Sequence, residues 1–292
     1  MARLGVIGGS GVYNLAAVDG GEEIPVETPF GRPSSPPRLG RVGSTEVVFI
    51  ARHGAGHVFS PTELPYRANI YALKSLGVTH LVSLSAVGSL REELPPRSLV
   101  LPDQIVDRTL LRPRTFFDGG VVAHVGIADP FCGVLRASVA AAARAEDRPV
   151  HEGGVYVCIE GPQFSTRAES ELYRSWGSTV IGMTAMPEAR LAREAELCYA
   201  TLALVTDYDV WHEEEEAVTV ELVLSHLHAN AVAAGAVVAR LADSGLPERS
   251  CGCGDALRHA IVTSPDRIDA EQRARLGVIA ARYLGDPTTT RP

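Results

Sequence analysis

Short apolar segments alternate with longer amphipathic segments along most of the chain. The apolar segments are rich in Val, Ile and Leu and end in clusters of Gly, Ser or Thr, which is typical of buried strands. This pattern predicts strands at residues 4–7, 47–51, 80–84, 98–101, 155–159, 179–182 and 199–205. Because a helical pattern usually follows each strand, we predict an α/β fold in which helices flank a central sheet.

Helical periodicity fills much of the sequence between the strands. One helix is predicted to begin after Thr166, because Thr166 and Glu169 have the spacing of a capping box. Stretches rich in Pro and Gly at 25–37 and 113–126 lack periodicity and predict long loops, which are often functional in compact domains. The helical patterns lie at residues 67–76, 166–177, 187–196, 219–241 and 269–284.

The length of the chain and the continuity of the pattern indicate one domain. A chain of 292 residues with 46% hydrophobic content can bury a large core. We predict that residues 1–245 form this domain. Residues 246–292 form a C-terminal extension with a C-x-C turn and a terminal helix, which packs on the same domain or on a neighbouring subunit.

Charge and hydropathy limit the partners of the protein. The formal net charge of -8 disfavours nucleic acid and anionic membranes. No apolar run reaches the roughly 18 residues of a membrane span, and the N-terminal sequence lacks a signal-peptide pattern. We therefore expect a cytoplasmic protein.

The cysteines predict no metal site. Cys132, Cys158 and Cys198 lie apart in apolar segments, where reduced thiols act as small hydrophobic residues. Cys251 and Cys253 form a C-x-C pair, which offers too few ligands for zinc. In a reducing compartment this pair is more typical of two thiols than of a bridge, and a local disulfide is the alternative.

Polar side chains follow four of the predicted strands. Ser10 lies in the Gly-rich turn after the first strand, Arg52 and His53 end the second, Ser85 ends the third, and Thr184 follows the sixth. Ligands of open α/β sheets gather at the carboxyl ends of the strands, so these residues together predict a cage for a tetrahedral anion. Taken alone, the Gly-rich turn is also compatible with a plain tight turn or a dinucleotide loop.

Two acids follow the most apolar strand. Asp207 and Asp209 emerge at the end of 199–205, where an unpaired buried acid is costly. One interpretation is a helix cap or a salt-bridged loop. The other is a pair that accepts a hydrogen bond from an exocyclic amine and, where burial keeps one acid protonated, donates to a ring nitrogen.

Eight further motifs lie along the chain. They are Gly8-Gly9-Ser10-Gly11, Thr28-Pro29-Phe30-Gly31, Ala51-Arg52-His53-Gly54, Tyr66-Arg67-Ala68-Asn69, Glu160-Gly161-Pro162-Gln163-Phe164, Arg167-Ala168-Glu169-Ser170, Gly182-Met183-Thr184 and Thr206-Asp207-Tyr208-Asp209. They occur in the order found in the 5′-methylthioadenosine phosphorylases, within the purine nucleoside phosphorylase family. The chain resembles this family from about residue 4 to residue 245, and the Asp-x-Asp pair is the feature that favours the methylthioadenosine branch.

The resemblance implies a single nucleoside phosphorylase-like domain with a mixed twisted sheet, and a role for each matching residue. The purine would be covered by Phe164 and bound at its N6 and N7 edge by Asp207 and Asp209, with Met183 against the ribose. His124 would be donated across a subunit boundary in a homotrimer or a dimer of trimers. Phosphate would be held by Ser10, Arg52, His53, Ser85, Ala86 and Thr184.

The resemblance also places an apolar pocket at the 5′ position of the nucleoside. Ser165, Val220, Val223 and Leu224 would line it, and such a wall suits a thioether better than a hydroxyl. The valines are equally compatible with an ordinary helix core. Gln163 and Gly182 depart from the family, since these positions are often Arg and Asn, and they leave the fine substrate preference open.

The implied reaction is the phosphorolysis of 5′-methylthioadenosine in purine and methionine salvage, with phosphate as a co-substrate and without a metal or an organic cofactor. We hypothesise that Asp207 retains a proton and donates it toward N7, while Asp209 orients the amine. The alternatives are a phosphorylase for adenosine, inosine, guanosine, methylthioinosine or another 5′-substituted adenosine, a hydrolase that uses water, and a purine-binding module without catalysis.

Overall fold

The computed structural model describes residues 2–12, 21–212 and 220–284, with side chains in the last range described from His226 onward. Within these residues, eleven strands form one mixed sheet. The strands are β1 (Arg3–Gly8), β2 (Glu22–Glu23), β3 (Arg38–Val42), β4 (Thr45–Ala51), β5 (Val78–Ser89), β6 (Leu99–Leu101), β7 (Gln104–Arg108), β8 (Val150–Glu152), β9 (Val155–Ile159), β10 (Val180–Gly182) and β11 (Cys198–Asp207).

The long strand β5 organises the sheet. It is parallel to β1 on one side and to β11 on the other, and its last residues pair antiparallel with β10. From β1 the sheet continues through β4, β3 and β2, and from β10 it continues through β9 and β7. The strands β1, β4, β5 and β11 run in the same direction, so their carboxyl ends meet at one edge.

Helices cover both faces of the sheet. One apolar core contains side chains of α1 and α4, and the other contains side chains of α2 and α5. Alternate residues of a strand enter opposite cores, as Val6 and Ile7 do in β1. The helices are α1 (Tyr66–Ser75), α2 (Gly133–Ala143), α3 (Arg167–Ser175), α4 (Ala185–Glu194), α5 (Val220–Asp243), α6 (Ala270–Leu276) and α7 (Ala281–Leu284).

All seven predicted strands are present, and β5 and β11 extend further than the apolar pattern indicates. The capping box is confirmed, because the Thr166 hydroxyl accepts from the Glu169 N–H and the Glu169 carboxylate accepts from the Thr166 N–H. In α4, Met186 has non-helical dihedral angles, so regular helix begins at Pro187 as predicted. None of the described helices has the length and apolarity needed to cross a membrane.

The sequence pattern missed five elements. The strands β2, β3, β7 and β8 are short, and many of their side chains are at least partly exposed, so they lack the apolar run of a buried strand. The helix α2 is missed for the opposite reason, since its alanine-rich sequence is short of polar residues to mark an outer face.

The C-terminal segment is broken where one helix was predicted. The helix α6 ends at Leu276, a 3-10 turn follows at Gly277–Ile279, and α7 is a separate short helix. Glycine is a weak helix former, and the break lets Leu276 and Ile279 enter the core beside α1 and α4. Leu257 and Ile268 enter the same core, so the segment packs on the body of its own chain.

The sequence analysis treats Cys132 and Cys198 as separate core residues, whereas the structure places both beside the pair of Cys251 and Cys253. The sulfur atoms of Cys132, Cys198, Cys251 and Cys253 lie within 4.8 Å of one another. Cys158 is buried elsewhere, where its sulfur accepts from the Met186 N–H. The sequence separated the four residues because they come from α2, β11 and the C-terminal segment, which only the fold brings together.

Candidate active site

A cavity of about 250 Å³ opens at the edge of the sheet where β1, β4, β5 and β11 end. It contains both the predicted anion cage and the acid pair. The predicted site residues that line it are Ser10, Arg52, His53, Ser85, Ala86, Phe164, Ser165, Met183, Thr184, Asp207 and Asp209.

Ser10, Ser85 and Thr184 contribute the three hydroxyl groups of the predicted anion cage to the cavity lining. Ser10 lies in the turn after β1, which the Val12 N–H closes by donating to the Gly9 carbonyl at 3.0 Å. The Ser85 hydroxyl lies 3.0 Å from the Tyr156 hydroxyl and 3.5 Å from the Thr184 hydroxyl. Thr184 precedes α4 but makes no side-chain cap to it, so its hydroxyl faces the cavity without serving the helix.

Gly182 leaves room for Tyr156, which positions Ser85. A Cβ atom at residue 182 would lie 2.0 Å from the Tyr156 hydroxyl oxygen, so no larger residue fits without moving that ring. Tyr156 is fully buried, and desolvation raises the pKa of its phenol. Glycine at position 182, in place of the Asn often found in the family, therefore makes room for the Tyr156 phenol. That phenol is neutral and contacts Ser85 of the predicted anion cage.

Arg52 lies in the cavity wall with its charge already balanced. It is 1% exposed and forms a two-point ion pair with Glu188, at 3.0 and 3.1 Å. Its other bonds go to the Ser83 hydroxyl and the Leu84 carbonyl, so four of the five guanidinium N–H groups are used. One N–H on Nη1 is left for a ligand, and Arg52 acts as an oriented donor more than as a net positive charge.

His53 is held as a neutral imidazole. Its Nδ1–H donates to the Phe59 carbonyl at 2.9 Å, and its ring stacks on His57 at 4.1 Å. Burial lowers the pKa of His53 to about 4, and the Arg52 and His57 charges act in the same direction. At neutral pH Nε2 therefore carries a lone pair, which accepts a proton or an O–H group.

A bulge in β11 positions Asp207. Val205 pairs with Val87 of β5 and Asp207 with Gly88, so Thr206 is an extra residue that turns the chain toward the cavity. A Cβ atom at residue 88 would lie 2.9 Å from Asp207 Oδ1, and glycine leaves that space to the carboxylate. The Asp209 N–H donates to Oδ1 at 2.8 Å, and the Thr206 hydroxyl lies 2.6 Å from Oδ2.

Asp209 is a buried acid with a raised pKa. It begins a 3-10 turn with a φ of 57°, a left-handed conformation, and its Oδ2 accepts from the buried Ser170 hydroxyl. Burial, followed by the charge of Asp207, raises the pKa of Asp209 from 3.8 to about 6. Asp209 therefore takes up a proton at a higher pH than an exposed aspartate does.

Phe164 and Ser165 also line the cavity. The Phe164 ring is 47% exposed at the cavity wall, which leaves one large apolar surface free to cover a planar ligand. The Ser165 hydroxyl is buried and has no hydrogen-bond partner among the described residues. A buried hydroxyl of this kind is a group to which a ligand can bond.

Four contributors to the site are absent from the sequence prediction. Ser170 and Thr206 lie inside the quoted motifs, but nothing in the motifs shows that their hydroxyls bond to the two acids. Tyr156 resembles any core residue of a strand. Glu188 is the one of the four that the sequence could have indicated, because an acid among the apolar positions of a helix needs a buried partner.

Four predicted residues are not placed in the cavity. His124 lies in a separate cleft, where its backbone N–H donates to the Ala260 carbonyl, so its role at a neighbouring subunit stays a prediction. The side chains of Val220, Val223 and Leu224 lie outside the described residues. The 5′ pocket that they were predicted to form is therefore also still a prediction.

The fold and the cavity together define a class of protein. An α/β sheet whose strand ends carry an anion cage beside an acid pair is suited to bind phosphate and a nitrogen heterocycle side by side. A family model described as the phosphorylase superfamily matches residues 3–243, and the chain belongs to that family.

Relatives with assigned names cover almost the whole chain. An S-methyl-5'-thioadenosine phosphorylase of Chloroflexus aurantiacus is 54% identical over 97% of this chain and 98% of its own length. One from Koribacter versatilis is 51% identical and covers 98% of both chains. The relatives and this chain therefore share nearly their entire length.

Solved structures agree with these relatives. A methylthioadenosine phosphorylase from an Antarctic soil metagenomic library is 47% identical, with a TM-score of 0.89 over 95% of this chain and 98% of that chain. The Schistosoma mansoni methylthioadenosine phosphorylase in complex with adenine is 35% identical, with a TM-score of 0.81 over 88% of this chain and 96% of that chain. The sheet and helix arrangement is thus that of the family.

Proposed function

We propose that this chain is an S-methyl-5′-thioadenosine phosphorylase, which reversibly converts 5′-methylthioadenosine and phosphate into adenine and 5-methylthioribose 1-phosphate. The observation that carries the proposal is that one cavity contains two groups of polar residues. One group is the hydroxyls of Ser10, Ser85 and Thr184, and the other is the acids Asp207 and Asp209. The names of the relatives agree with this substrate.

The anion half binds and orients phosphate. Ser10, Ser85 and Thr184 supply hydroxyl groups, Ala86 a backbone contact, and Arg52 its remaining N–H. His53 contributes an acceptor, because a neutral imidazole that donates through Nδ1 leaves Nε2 for the O–H group of a phosphate dianion. One phosphate oxygen is thereby left unprotonated and directed at the sugar.

The acid half binds the purine and makes it a better leaving group. The raised pKa of Asp209, about 6, makes this acid take up a proton more readily than an exposed aspartate does. The ionised acid accepts from the exocyclic amine, and the protonated acid donates to N7. Asp209 is the proposed donor, whereas the sequence-based hypothesis assigned the proton to Asp207.

The reaction is a single displacement at the anomeric carbon. The phosphate oxygen forms a bond to C1′ as the C1′–N9 bond breaks, and the electron pair of that bond passes into the purine ring. The proton of the acid pair moves to N7, so adenine leaves as a neutral molecule. The negative charge of phosphate also stabilises the positive charge that develops on the ribosyl group.

We also propose a location, an assembly and a metabolic role for the enzyme. It is a cytoplasmic homotrimer or dimer of trimers that acts in purine and methionine salvage and needs neither a metal nor an organic cofactor for the chemistry. Val220, Val223, Leu224 and Ser165 select the 5′ group, and His124 of each subunit contributes to a neighbouring site.

The test is adenine release from 5′-methylthioadenosine with and without phosphate. We expect release only with phosphate, together with formation of a sugar 1-phosphate. Release without phosphate identifies a hydrolase, and binding without release identifies a non-catalytic module. Adenosine and inosine measured in parallel rank the substrates, and a higher kcat/KM for either overturns the assignment to methylthioadenosine.

A further inference from the structure

Four sulfur atoms converge on one point away from the active-site cavity. Cys251 Sγ lies 3.5 Å from Cys132 Sγ and 3.4 Å from Cys198 Sγ, and all four sulfur atoms, including that of Cys253, lie within 4.8 Å of one another. Three of these residues are buried, and Cys251 is half-buried. We propose that Cys132, Cys198, Cys251 and Cys253 form a structural zinc site.

The spacing of the sulfur atoms matches zinc and differs from disulfides. A tetrahedral zinc ion with Zn–S bonds of about 2.3 Å holds its sulfur ligands about 3.8 Å apart. A disulfide requires an S–S distance of about 2.05 Å. The observed separations of 3.4 and 3.5 Å are close to the first value, and the other sulfur–sulfur separations are at most 4.8 Å.

The surroundings of the cluster favour thiolates. Cys132 caps the N-terminus of α2, an 11-residue helix, and its sulfur accepts from the Leu135 N–H at 3.5 Å. The Arg193 guanidinium donates to Cys253 Sγ at 3.4 Å. Four thiolates around Zn²⁺ leave a net charge of about −2, which a cation and a helix N-terminus both offset.

The choice of metal follows from the ligand set. Tetrahedral sites with four sulfur ligands select zinc or iron, whereas Mg²⁺ and Ca²⁺ prefer oxygen ligands. With all four positions filled by protein, no open position is left for substrate, which is typical of structural rather than catalytic zinc. The site is thus separate from the chemistry proposed at Asp207 and Asp209.

The zinc ion would fasten the C-terminal segment to the body of the chain. The C-x-C turn belongs to that segment, whereas Cys132 and Cys198 belong to α2 and β11. The same segment supports the loop of His124, since Ala123 pairs with Ile261 and the His124 N–H donates to the Ala260 carbonyl. Loss of zinc is therefore expected to loosen both the segment and this loop.

The experiment measures metal content in the full chain, purified under reducing conditions without an immobilised-metal column. Plasma mass spectrometry is expected to find about one zinc ion per chain. Protein from cells grown in cobalt is expected to show the intense absorption of tetrahedral cobalt thiolate. Both measurements use the unaltered sequence, so they decide the proposal even if variants fail to fold.

Variants identify the ligands. The double variant Cys251→Ser/Cys253→Ser is expected to lose at least about nine-tenths of the zinc and to have a lower Tm. The control Cys158→Ser is expected to keep the zinc, because Cys158 lies outside the cluster and serine can still bond to the Met186 backbone.

Three results would overturn the proposal. Intact-mass analysis of alkylated, unreduced protein that shows paired cysteines would assign the cluster to disulfides. Four alkylated thiols with no bound metal would assign it to plain packing, and one iron per chain in place of zinc would refute the choice of metal. These results leave the proposed phosphorylase reaction intact, because phosphate-dependent adenine release is measured separately.

Discussion

The variant Asp209→Asn is expected to be more stable than the unaltered protein near neutral pH and much less active. Burial and the charge of Asp207 raise the pKa of Asp209 to about 6, so at neutral pH the folded protein holds an unfavourable carboxylate. Asparagine has the same shape without the charge, and it tolerates a left-handed φ of 57°. Its amide can bond to N7 but has no acidic proton to transfer.

The expected gain in stability follows from the pKa values of Asp209 in the unfolded and the folded state. Each pH unit between them corresponds to about 1.4 kcal/mol, so a rise from 3.8 to about 6 costs about 3 kcal/mol once Asp209 is ionised in the folded state. Ionisation of Asp209 destabilises the folded protein, because the pKa of this group is higher in the folded state than in the unfolded state. The folded state binds more protons than the unfolded state within this window, so stability falls as pH rises through it and the full cost applies above about pH 6.

The assay is urea unfolding of both proteins at equal concentration and at two pH values. The variant is expected to gain up to about 3 kcal/mol at about pH 7.5 and about half of that at about pH 5. Turnover is expected to fall by about 100-fold or more, the usual effect of losing a positioned acid.

Asp147→Asn is the matched control, since Asp147 is exposed and outside the cavity. It is expected to change neither stability nor turnover. Equal stability of Asp209→Asn and the unaltered protein at about pH 7.5 would refute the buried-charge argument. Near-normal turnover of Asp209→Asn would refute its role as the proton donor.

Three further variants test the rest of the cavity. Arg52→Lys keeps a cation beside Glu188 but loses the two-point geometry, so the KM for phosphate is expected to rise about tenfold or more, and an unchanged value removes Arg52 from phosphate binding. Tyr156→Phe removes the hydroxyl beside Ser85 and is expected to raise the KM for phosphate about fivefold with little change in the KM for the nucleoside; the opposite split would contradict this role. Phe164→Ala is expected to raise the nucleoside KM about tenfold through lost stacking, and steady-state kinetics with an unaltered nucleoside KM would refute its position over the purine.

The sequence by itself determined the frame of the sheet and the location of the site. Apolar runs mark the strands that are buried, because a strand covered on both faces has no need of polar residues. Ser10, His53, Ser85 and Asp207 each follow such a run, and parallel strands bring their carboxyl ends to one edge. The cavity could therefore be anticipated from order along the chain, and the motifs added the family.

The tertiary structure decided which partners these residues have. Glu188 pairs with Arg52 across 136 positions of sequence, and together with the bonds to Ser83 and Leu84 this pairing leaves the arginine with one free N–H. Burial and the charge of Asp207 raise the pKa of Asp209, because desolvation depends on the atoms packed around a carboxyl. No local pattern contains that information.

The cysteines show most clearly the difference between what the sequence and what the tertiary structure determine. Cys132 and Cys198 read as isolated core residues, and Cys251 and Cys253 as an incomplete pair, because each lies in a different stretch of sequence. Packing of α2, β11 and the C-terminal segment against one another brings the four sulfur atoms together. Periodicity reports which face of an element is buried, whereas the identity of the neighbour on that face is set by chain segments far away in sequence.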